Sequence, residues 1–398
     1  MEQNNILVFG LGELQESIIL QAKSYGLFVV GIDPCADPYC KQLVDVFEVV
    51  AGDDYNKTLE IANKYNISAV ITAATDKPLV MMAKIAEKLN LHFISVETAI
   101  VSTDKFLMKE YFTKNEIPCA KGKLISNIED LNNLDEFSYP VIIKPRDNSG
   151  SRGVKLCNDK LELEQNLKEV FQYTKKETVL VEEFIEGKEY SIESLHYDNK
   201  SKVVQFTEKK VTPFPYNVEL GHIQPAGLSE QQKTDIEKLI EKIGSALNFN
   251  NCASHTELKI NNRGIFIIET SPRLGGDFIT SKLVPLSTGV NIEKCLIDIS
   301  LGKKPVLDYL NNNKSSGVRF FSIKGQKIED IDKNIADVHN WDFIKHFSFK
   351  LKKGDVIPKI TSSLSRYGEF IIQTDTREQT IALLDKYEDD INKLIIGK

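Results

Sequence analysis

Residues 140–154 read PVIIKPRDNSGSRGV and join an apolar strand to a loop that contains glycine. The strand ends at Lys144, and Gly150 and Gly153 lie in the loop before the next apolar run. Glycine lets backbone N–H groups approach phosphate oxygens closely, and a lysine at a strand end adds a positive charge. The stretch therefore predicts a phosphate-binding loop, with a flexible hairpin carrying a surface lysine as the alternative. It is not a Walker A loop, because the chain has no GxxxxGK[ST] pattern.

Two glutamates lie on either side of a short turn further along the chain. Glu257 stands in HTELKI (255–260) and Glu269 in FIIETSPR (266–273), and an Asn-Asn-Arg-Gly turn separates the two predicted strands. An antiparallel pairing about this turn places the carboxylates opposite each other, or nearly so, on one face. Such a pair is costly on an apolar hairpin unless it is neutralised, and its oxygens suit Mg²⁺ beside phosphate. The alternative is that one glutamate faces solvent at a sheet edge.

Acidic residues also follow a third apolar strand, in residues 178–193, TVLVEEFIEGKEYSIE. Carboxylates at the end of a buried strand can accept hydrogen bonds from an adenine amino group or from ribose hydroxyls. Read alone, four glutamates of this segment are more simply explained as solvated charges: Glu182, Glu183, Glu186 and Glu189.

The first hundred residues alternate between strand and helix signals, which predicts an open, mostly parallel sheet. The predicted strands are NILVFG (5–10), LFVVGIDP (27–34), VFEVVAG (46–52) and SAVITAATD (68–76). Gly10, Gly12 and Asp33 suggest a dinucleotide fingerprint, but Gln15 stands where a third Gly or Ala belongs. A tight turn in a packing or substrate domain is therefore the favoured interpretation.

The composition is that of a soluble multidomain protein. The 398 residues predict two to three domains at about 150 residues each. Lys and Arg number 50 against 57 Asp and Glu, and this net charge of −7 argues against nucleic acid or an anionic membrane as a partner. No stretch approaches the roughly 18 apolar residues of a membrane helix, and the first residues do not resemble a signal peptide. The six scattered cysteines form no CxxC pair, so we expect reduced thiols and a cytoplasmic protein.

Four segments, in this order, resemble the ATP-grasp superfamily of carboxylate–amine ligases. The first is TDKFLMKEYFTKNEIPCAK (103–121), with Glu116 where the family usually has Gly. The second and third are the segments 140–154 and 178–193 described above. The fourth is the hairpin of Glu257 and Glu269, which continues into SPRLGGD. The resemblance covers essentially the whole chain and implies the α/β ATP-grasp fold. It implies a Rossmann-like pre-ATP-grasp domain with a parallel sheet (1–102), an ATP-grasp domain of two subdomains that clasp ATP (103–184 and 185–305), and a small β-rich C-terminal α+β domain (306–398).

The resemblance also implies a role for each matching residue. Arg273 would stabilise charge on the transferred phosphoryl group or acyl phosphate, and Glu257 and Glu269 would ligate Mg²⁺ or Mn²⁺. The family's third metal ligand is usually Asn, and Ser271 stands in its place here, which leaves one or two metal ions open. The residues implied to bind ATP are Lys105, Lys144, Ser149, Gly150, Ser151, Gly153, Glu182, the backbone of Ile185, and Glu189.

Two further stretches resemble the L-amino acid ligase branch: NVELGHIQPAGL (217–228), like its substrate-side loop, and RLGGD (273–277). Glu219 and His222 would then contact a substrate amino group or carboxylate, and a packing loop with a hydrogen-bonded His is the alternative. The backbone of Gly275 and Gly276 would let a substrate carboxylate come close, beside Arg273.

The implied activity converts a carboxylate into an acyl phosphate at the expense of ATP and couples it to an amine, giving an amide or dipeptide, ADP and phosphate. The implied partners are small-molecule carboxylate and amine substrates, and the resemblance allows a homodimer. A ligase for a purine precursor, a sugar amine or a carbamoyl-type substrate is the alternative. A non-catalytic nucleotide-binding relative is disfavoured because the lysines, the glutamate pair and the arginine are retained. A dehydrogenase built on the Gly-Leu-Gly turn would leave those residues unexplained.

Overall fold

The computed structural model describes residues 4–148, 150–307, 314–323 and 325–396. Its N-terminal part is a parallel sheet flanked by helices. The sheet has four strands in the order β3-β2-β1-β4, and every pairing is parallel, which confirms the predicted architecture. Its strands and helices are β1 (Asn5–Phe9), α1 (Glu16–Ser24), β2 (Phe28–Asp33), β3 (Val46–Val49), α2 (Tyr55–Lys64), β4 (Ile67–Ile71), α3 (Leu79–Leu89) and α4 (Val96–Ser102).

Side chains of the protein accept hydrogen bonds from the backbone amides of the Gly-Leu-Gly turn after β1. The amide of Leu11 donates to Asp33 Oδ2 at 2.8 Å, and the amide of Gly12 donates to the Gln15 side chain at 3.0 Å. Gln15 in turn donates to the carbonyl of Ala73 at 2.5 Å. Gln15, which breaks the dinucleotide pattern in the sequence, therefore ties the turn to the end of β4.

A small antiparallel sheet follows, with the strand order β5-β8-β6-β7. Helix α5 leads into it, and the Asp104 side chain caps its first turn by accepting hydrogen bonds from the amides of Phe106 and Leu107. The elements are α5 (Lys105–Lys114), β5 (Gly122–Ile125), β6 (Val141–Lys144), β7 (Lys155–Cys157), α6 (Lys160–Phe171) and β8 (Val179–Glu183).

The centre of the molecule is an eight-stranded sheet in the order β13-β12-β9-β10-β11-β14-β16-β15. Its inner strands share one buried apolar cluster with the N-terminal part; Leu7 and Val70 belong to it together with Ile192 and Leu258. The elements are β9 (Lys188–Tyr197), β10 (Lys200–Val211), β11 (Glu219–Gln224), α7 (Glu230–Ala246), β12 (Cys252–Asn261), β13 (Gly264–Ser271), α8 (Val284–Thr288) and α9 (Ile292–Ser300).

The last strands of the chain extend this same sheet. They are β14 (Ser315–Phe320), β15 (Ile344–Phe349) and β16 (Gly368–Thr374), and α10 (Arg377–Ile396) packs against β14 and β16. Because β14 pairs with β11, strands on either side of residue 306 belong to one hydrogen-bonded sheet. The domain boundaries near residues 102 and 306 stay a prediction.

One expectation from the sequence is wrong at the level of secondary structure. The segment 217–228 is predicted to be a substrate-side loop, but Glu219–Gln224 form strand β11. The strand exists because its backbone pairs with β10 on one side and β14 on the other. The partner β10 directly precedes β11 in the chain, and only the partner β14 is distant in sequence.

All six cysteines are free thiols, and only Cys35 is exposed, in keeping with the predicted absence of disulfides. Among the described residues, no helix combines the length and the apolar character needed to cross a membrane.

Candidate active site

A cleft with an empty volume of about 850 Å³ lies between the small sheet and the eight-stranded sheet. Strands β6 and β8 line one side, together with the loop between β6 and β7 that contains Gly150 and Gly153 (the glycine loop). Strands β9, β10, β12 and β13 line the other side. The structure therefore gathers most of the residues that sequence analysis assigns to ATP and metal. The predicted residues in its walls are Lys105, Lys144, Gly150, Ser151, Glu182, Ile185, Glu189, Glu257 and Glu269.

Lys144 is buried in this cleft and paired with Glu182. The two residues lie on the adjacent strands β6 and β8, and Lys144 Nζ is 2.5 Å from Glu182 Oε1. A residue that the sequence analysis missed, Lys109 on α5, approaches Glu182 Oε2 at 2.8 Å. Burial by itself would raise the pKa of Glu182, but the two lysines outweigh it and lower this pKa to about 2. Burial also lowers the pKa of Lys144.

The adenine and ribose candidates lie where β8 runs into β9. Ile185 is buried at 3% exposure and is among the residues that line the cleft. Glu189 Oε1 is 3.1 Å from Lys259 Nζ and accepts a hydrogen bond from Asn217 Nδ2 at 3.3 Å. The roles of Glu182 and Glu189 in reading adenine and ribose stay predictions.

The glutamate pair has the geometry that the turn length predicts. Glu257 on β12 and Glu269 on β13 are direct register partners, with a bulge immediately after Glu257. Lys105 Nζ forms an ion pair with Glu269, and Lys209 Nζ lies 3.1 Å from Glu257 Oε1. Each carboxylate therefore faces the cleft beside a lysine, and two hard oxygen donors on adjacent strands fit Mg²⁺.

Lys209 is a second residue that the sequence analysis missed. It lies on β10, its side chain is 2% exposed, and it also approaches Glu219 Oε1 at 3.2 Å. Burial alone would lower the pKa of Lys209, but Glu257 and Glu219 outweigh burial and hold it well above its usual value. Strand β10 carries four lysines and no regular alternation, so its sequence does not single out Lys209; the strand's position in the sheet decides the partners of this lysine.

A buried histidine, His255, also contacts the carboxylate of Glu257. His255 Nε2 is 3.4 Å from Glu257 Oε1, and His255 Nδ1 is 2.5 Å from Glu193 Oε1. Burial would lower the pKa of His255, but Glu193 outweighs it and raises this pKa to about 9. For Glu257, burial is outweighed by Lys209 and His255, so its pKa lies well below its usual value.

Arg273 meets a carboxylate from the N-terminal sheet. Its Nε donates to Asp76 Oδ1 at 2.8 Å and its Nη2 to Asp76 Oδ2 at 3.2 Å. The Ser271 hydroxyl donates to the same Asp76 Oδ1 at 2.5 Å. Burial would raise the pKa of Asp76, but Arg273 outweighs it and lowers this pKa. Asp76, which the sequence analysis did not single out, therefore organises both the predicted arginine and the serine at the third-ligand position.

The glycine loop closes over the cleft. Gly150 (φ +68°), Ser151 (φ +55°) and Gly153 (φ +77°) all adopt left-handed backbone conformations, and Ser151 Oγ donates to the carbonyl of Asn217 at 3.3 Å. A Cβ on Gly153 would lie 2.8 Å from the Tyr173 ring, so this position has no room for a side chain. Gly153 shapes the turn without lining the cleft, and Ser149 lies outside the described residues.

The predicted substrate residues are not among the residues that line the cleft. His222, on β11, is 1% exposed, and its Nε2 is 3.4 Å from Asp277 Oδ2. The amide of Gly275 donates to Glu193 Oε2 at 3.3 Å, and a Cβ on Gly276 would lie 3.3 Å from that of Ala74. Of these residues, Gly276 contacts the N-terminal part of the chain, at Ala74.

A sequence profile described as an ATP-grasp domain matches residues 137–281, the region that carries this cleft. The chain contains an ATP-grasp domain. The resemblance stated from the sequence is thereby confirmed over this region, and so is the α/β fold class.

The relatives of this chain include several ligases. The alanine–anticapsin ligase of Bacillus subtilis (strain 168) is 29% identical over 282 residues, which cover 63% of this chain and 59% of that protein. The chain thus matches less than two thirds of that relative's length. The solved L-amino acid ligase from Bacillus licheniformis superposes with a TM-score of 0.84 at 21% identity, covering 98% of each chain. Phosphoribosylglycinamide synthetase from Anaerococcus prevotii gives 0.76 at 24% identity, covering 99% and 98%. Both structures show the fold alone.

Proposed function

We propose that this protein is an ATP-dependent ligase that activates the carboxylate of an L-amino acid as an acyl phosphate and joins it to an amine. The observation that carries the proposal is a cleft in which Lys105, Lys144 and Lys209 surround the directly paired Glu257 and Glu269. Lysines and a carboxylate pair are the groups that a nucleoside triphosphate and its divalent cation require together.

In this proposal the lysines and the glycine loop position the triphosphate. Lys105 and Lys209 now neutralise Glu269 and Glu257, and each can exchange that partner for a phosphate oxygen. Glu257 and Glu269 would hold Mg²⁺, which when bound neutralises charge on the β- and γ-phosphates. The Ser271 hydroxyl donates a hydrogen bond to Asp76 and keeps its oxygen lone pairs, and we expect at least one ion at this site.

The reaction then needs positioning and charge neutralisation more than covalent catalysis by the protein. An oxygen of the substrate carboxylate attacks the γ-phosphorus, the bond to the β–γ bridging oxygen breaks, and ADP leaves. The amine nitrogen then attacks the acyl carbon, inorganic phosphate leaves, and the nitrogen loses a proton. Arg273, oriented by Asp76, would stabilise charge on the phosphoryl group as it moves between the two oxygens.

Two observations support an L-amino acid as the substrate. The relative with 29% identity is, by its name, a ligase of alanine and anticapsin. Gly275 and Gly276 follow Arg273 closely in the chain, His222 contacts Asp277 of the same segment, and all three predicted substrate residues lie outside the lining of the cleft.

Hydroxylamine trapping tests the proposal. Each of the twenty L-amino acids is incubated with the protein, ATP, Mg²⁺ and hydroxylamine, and the hydroxamate and ADP are both measured. We expect at least one amino acid to give hydroxamate only when ATP and Mg²⁺ are present. Release of ADP without hydroxamate for every acid would contradict the acyl-phosphate route.

Glu269→Gln tests the metal assignment within the same assay. We expect turnover to be lost while the circular dichroism spectrum and the unfolding midpoint stay close to those of the wild type. Glu241→Gln, an exposed residue on α7, is the matched control. Undiminished activity of Glu269→Gln would refute the role of this glutamate.

A further inference from the structure

The segment Gly275–Phe278, which follows β13, has an unusual backbone. Asp277 (φ +51°) and Phe278 (φ +63°) are consecutive non-glycine residues in the left-handed region. L-residues adopt this conformation rarely, and a successive pair persists only where surrounding contacts impose it. A π-helical turn, Ile279–Leu283, follows immediately. The segment is therefore held in shape by its contacts and not by its own preference.

The main contact on this segment comes from the C-terminal part of the chain. Arg366 Nη1 donates to Asp277 Oδ2 at 2.7 Å, and Nη2 donates to Asp277 Oδ1 at 2.5 Å. The same guanidinium lies 3.8 Å from the centre of the Phe320 ring, and its Nε donates to the carbonyl of Ser363 at 3.0 Å. A planar fork can make both bonds to one carboxylate, and the ammonium of lysine cannot reproduce them.

The opposite side of the segment leaves it little freedom. His222 Nε2 approaches Asp277 Oδ2 at 3.4 Å. A Cβ on Gly275 would lie 2.7 Å from His255 Nδ1 and 2.9 Å from the Glu193 carboxylate, so the backbone here packs directly on the groups behind Glu257. The segment is thus clamped between the buried residues of the central sheet and Arg366.

We propose that Arg366 is a positioning residue that fixes the Gly275–Phe278 backbone for the carboxylate-bearing substrate. The inference rests on the proposed function, because that proposal assigns Gly275 and Gly276 to the substrate. Arg366 is not among the residues that line the nucleotide cleft. Loss of its fork on Asp277 therefore weakens binding of the acid substrate and leaves ATP binding largely unchanged.

Hydrogen–deuterium exchange tests the clamp without any substrate. Peptides spanning residues 274–283 are compared in the wild type, Arg366→Lys and Asp277→Asn, each of which removes the fork and leaves one polar partner in place. We expect exchange there to be at least about tenfold faster in both variants. The control is Arg377→Ala, which removes another arginine–carboxylate pair of the C-terminal part, Arg377 with Glu208 at 2.6 Å. Unchanged protection in both variants would overturn the proposal.

Kinetics then test the consequence, with hydroxylamine as nucleophile and the L-amino acid that gives the most hydroxamate with the wild type. For Arg366→Lys we expect the KM for that amino acid to rise at least about tenfold and the KM for ATP to stay within about twofold. Arg377→Ala changes neither value. Equal rises in both KM values, or a fall in kcat alone, would contradict the role of Arg366 in positioning the Gly275–Phe278 segment. If the wild type forms no hydroxamate at all, the proposed function fails, and the exchange experiment still decides the role of Arg366.

Discussion

Replacing Glu182 by Gln removes the charge that holds two buried lysines together in the cleft. Glu182 is 4% exposed, with Lys144 Nζ at 2.5 Å on one oxygen and Lys109 Nζ at 2.8 Å on the other. The amide of Gln keeps the shape of the side chain but offers no negative charge. Two ammonium groups would then face each other in a region that largely excludes water, which destabilises the folded protein.

The size of the effect follows from the pKa of Glu182, which is about 2 in the folded protein against an ordinary value of 4.5. At 1.36 kcal/mol per pKa unit, this difference corresponds to about 3 kcal/mol. Measured losses on breaking buried ion pairs are of similar size, about 3–5 kcal/mol. Because the folded-state pKa is depressed, the stabilisation is complete above pH 4.5 and is lost as the pH falls from 4.5 toward 2.

Urea unfolding at pH 7 without nucleotide, followed by circular dichroism, measures this effect. We expect Glu182→Gln to lower the free energy of unfolding by about 3 kcal/mol, and the gap to the wild type to narrow as the pH drops below 4.5. The neighbouring Glu183→Gln is the matched control; Glu183 pairs with the half-exposed Arg263 at 2.9 Å, so we expect a loss below about 1 kcal/mol. Equal losses in the two variants would refute the role assigned to Glu182.

Three further changes test other parts of the site and fold. Lys209→Met leaves the buried face of Glu257 without its cation, and we expect kcat to fall on the order of 100-fold in a phosphate-release assay; a change below about threefold would contradict this. Asp76→Asn weakens the ion pair that orients Arg273, so kcat should fall roughly tenfold with the KM for ATP nearly constant, and a rise in that KM alone would argue against it. Burial raises the pKa of Glu293 to about 7, so the wild type loses stability as the pH rises from 4.5 to 7. Glu293→Gln should therefore be more stable than the wild type at pH 8, by up to about 3 kcal/mol, and equal to it at pH 4; the opposite order in thermal unfolding would refute the assignment.

Local signals predicted the parallel N-terminal sheet and those residues of the candidate site that lie on one contiguous segment. The Asn-Asn-Arg-Gly turn between Glu257 and Glu269 is short enough to fix the register of its hairpin, so their opposition could be inferred from spacing. The strand that delivers Lys144 and the glycines after it are contiguous, which makes their proximity a matter of chain connectivity. Strand β11 was missed although it follows β10 directly in the chain; only its other partner, β14, comes from a distant part of the chain.

By itself, the sequence determined which strands and turns carry the lysines, the glutamate pair and the glycine loop, because these groups lie within a few residues of each other on regular backbone. Only the tertiary structure decided which acidic side chain forms an ion pair with which basic side chain. Asp76 reaches Arg273 across 197 residues of sequence, and Arg366 reaches Asp277 across 89. Such pairs depend on how the N-terminal sheet and the C-terminal strands are placed around the central sheet, which is set by the burial of apolar faces. No local pattern encodes that placement, so the partners of the active-site charges could be found only in the folded protein.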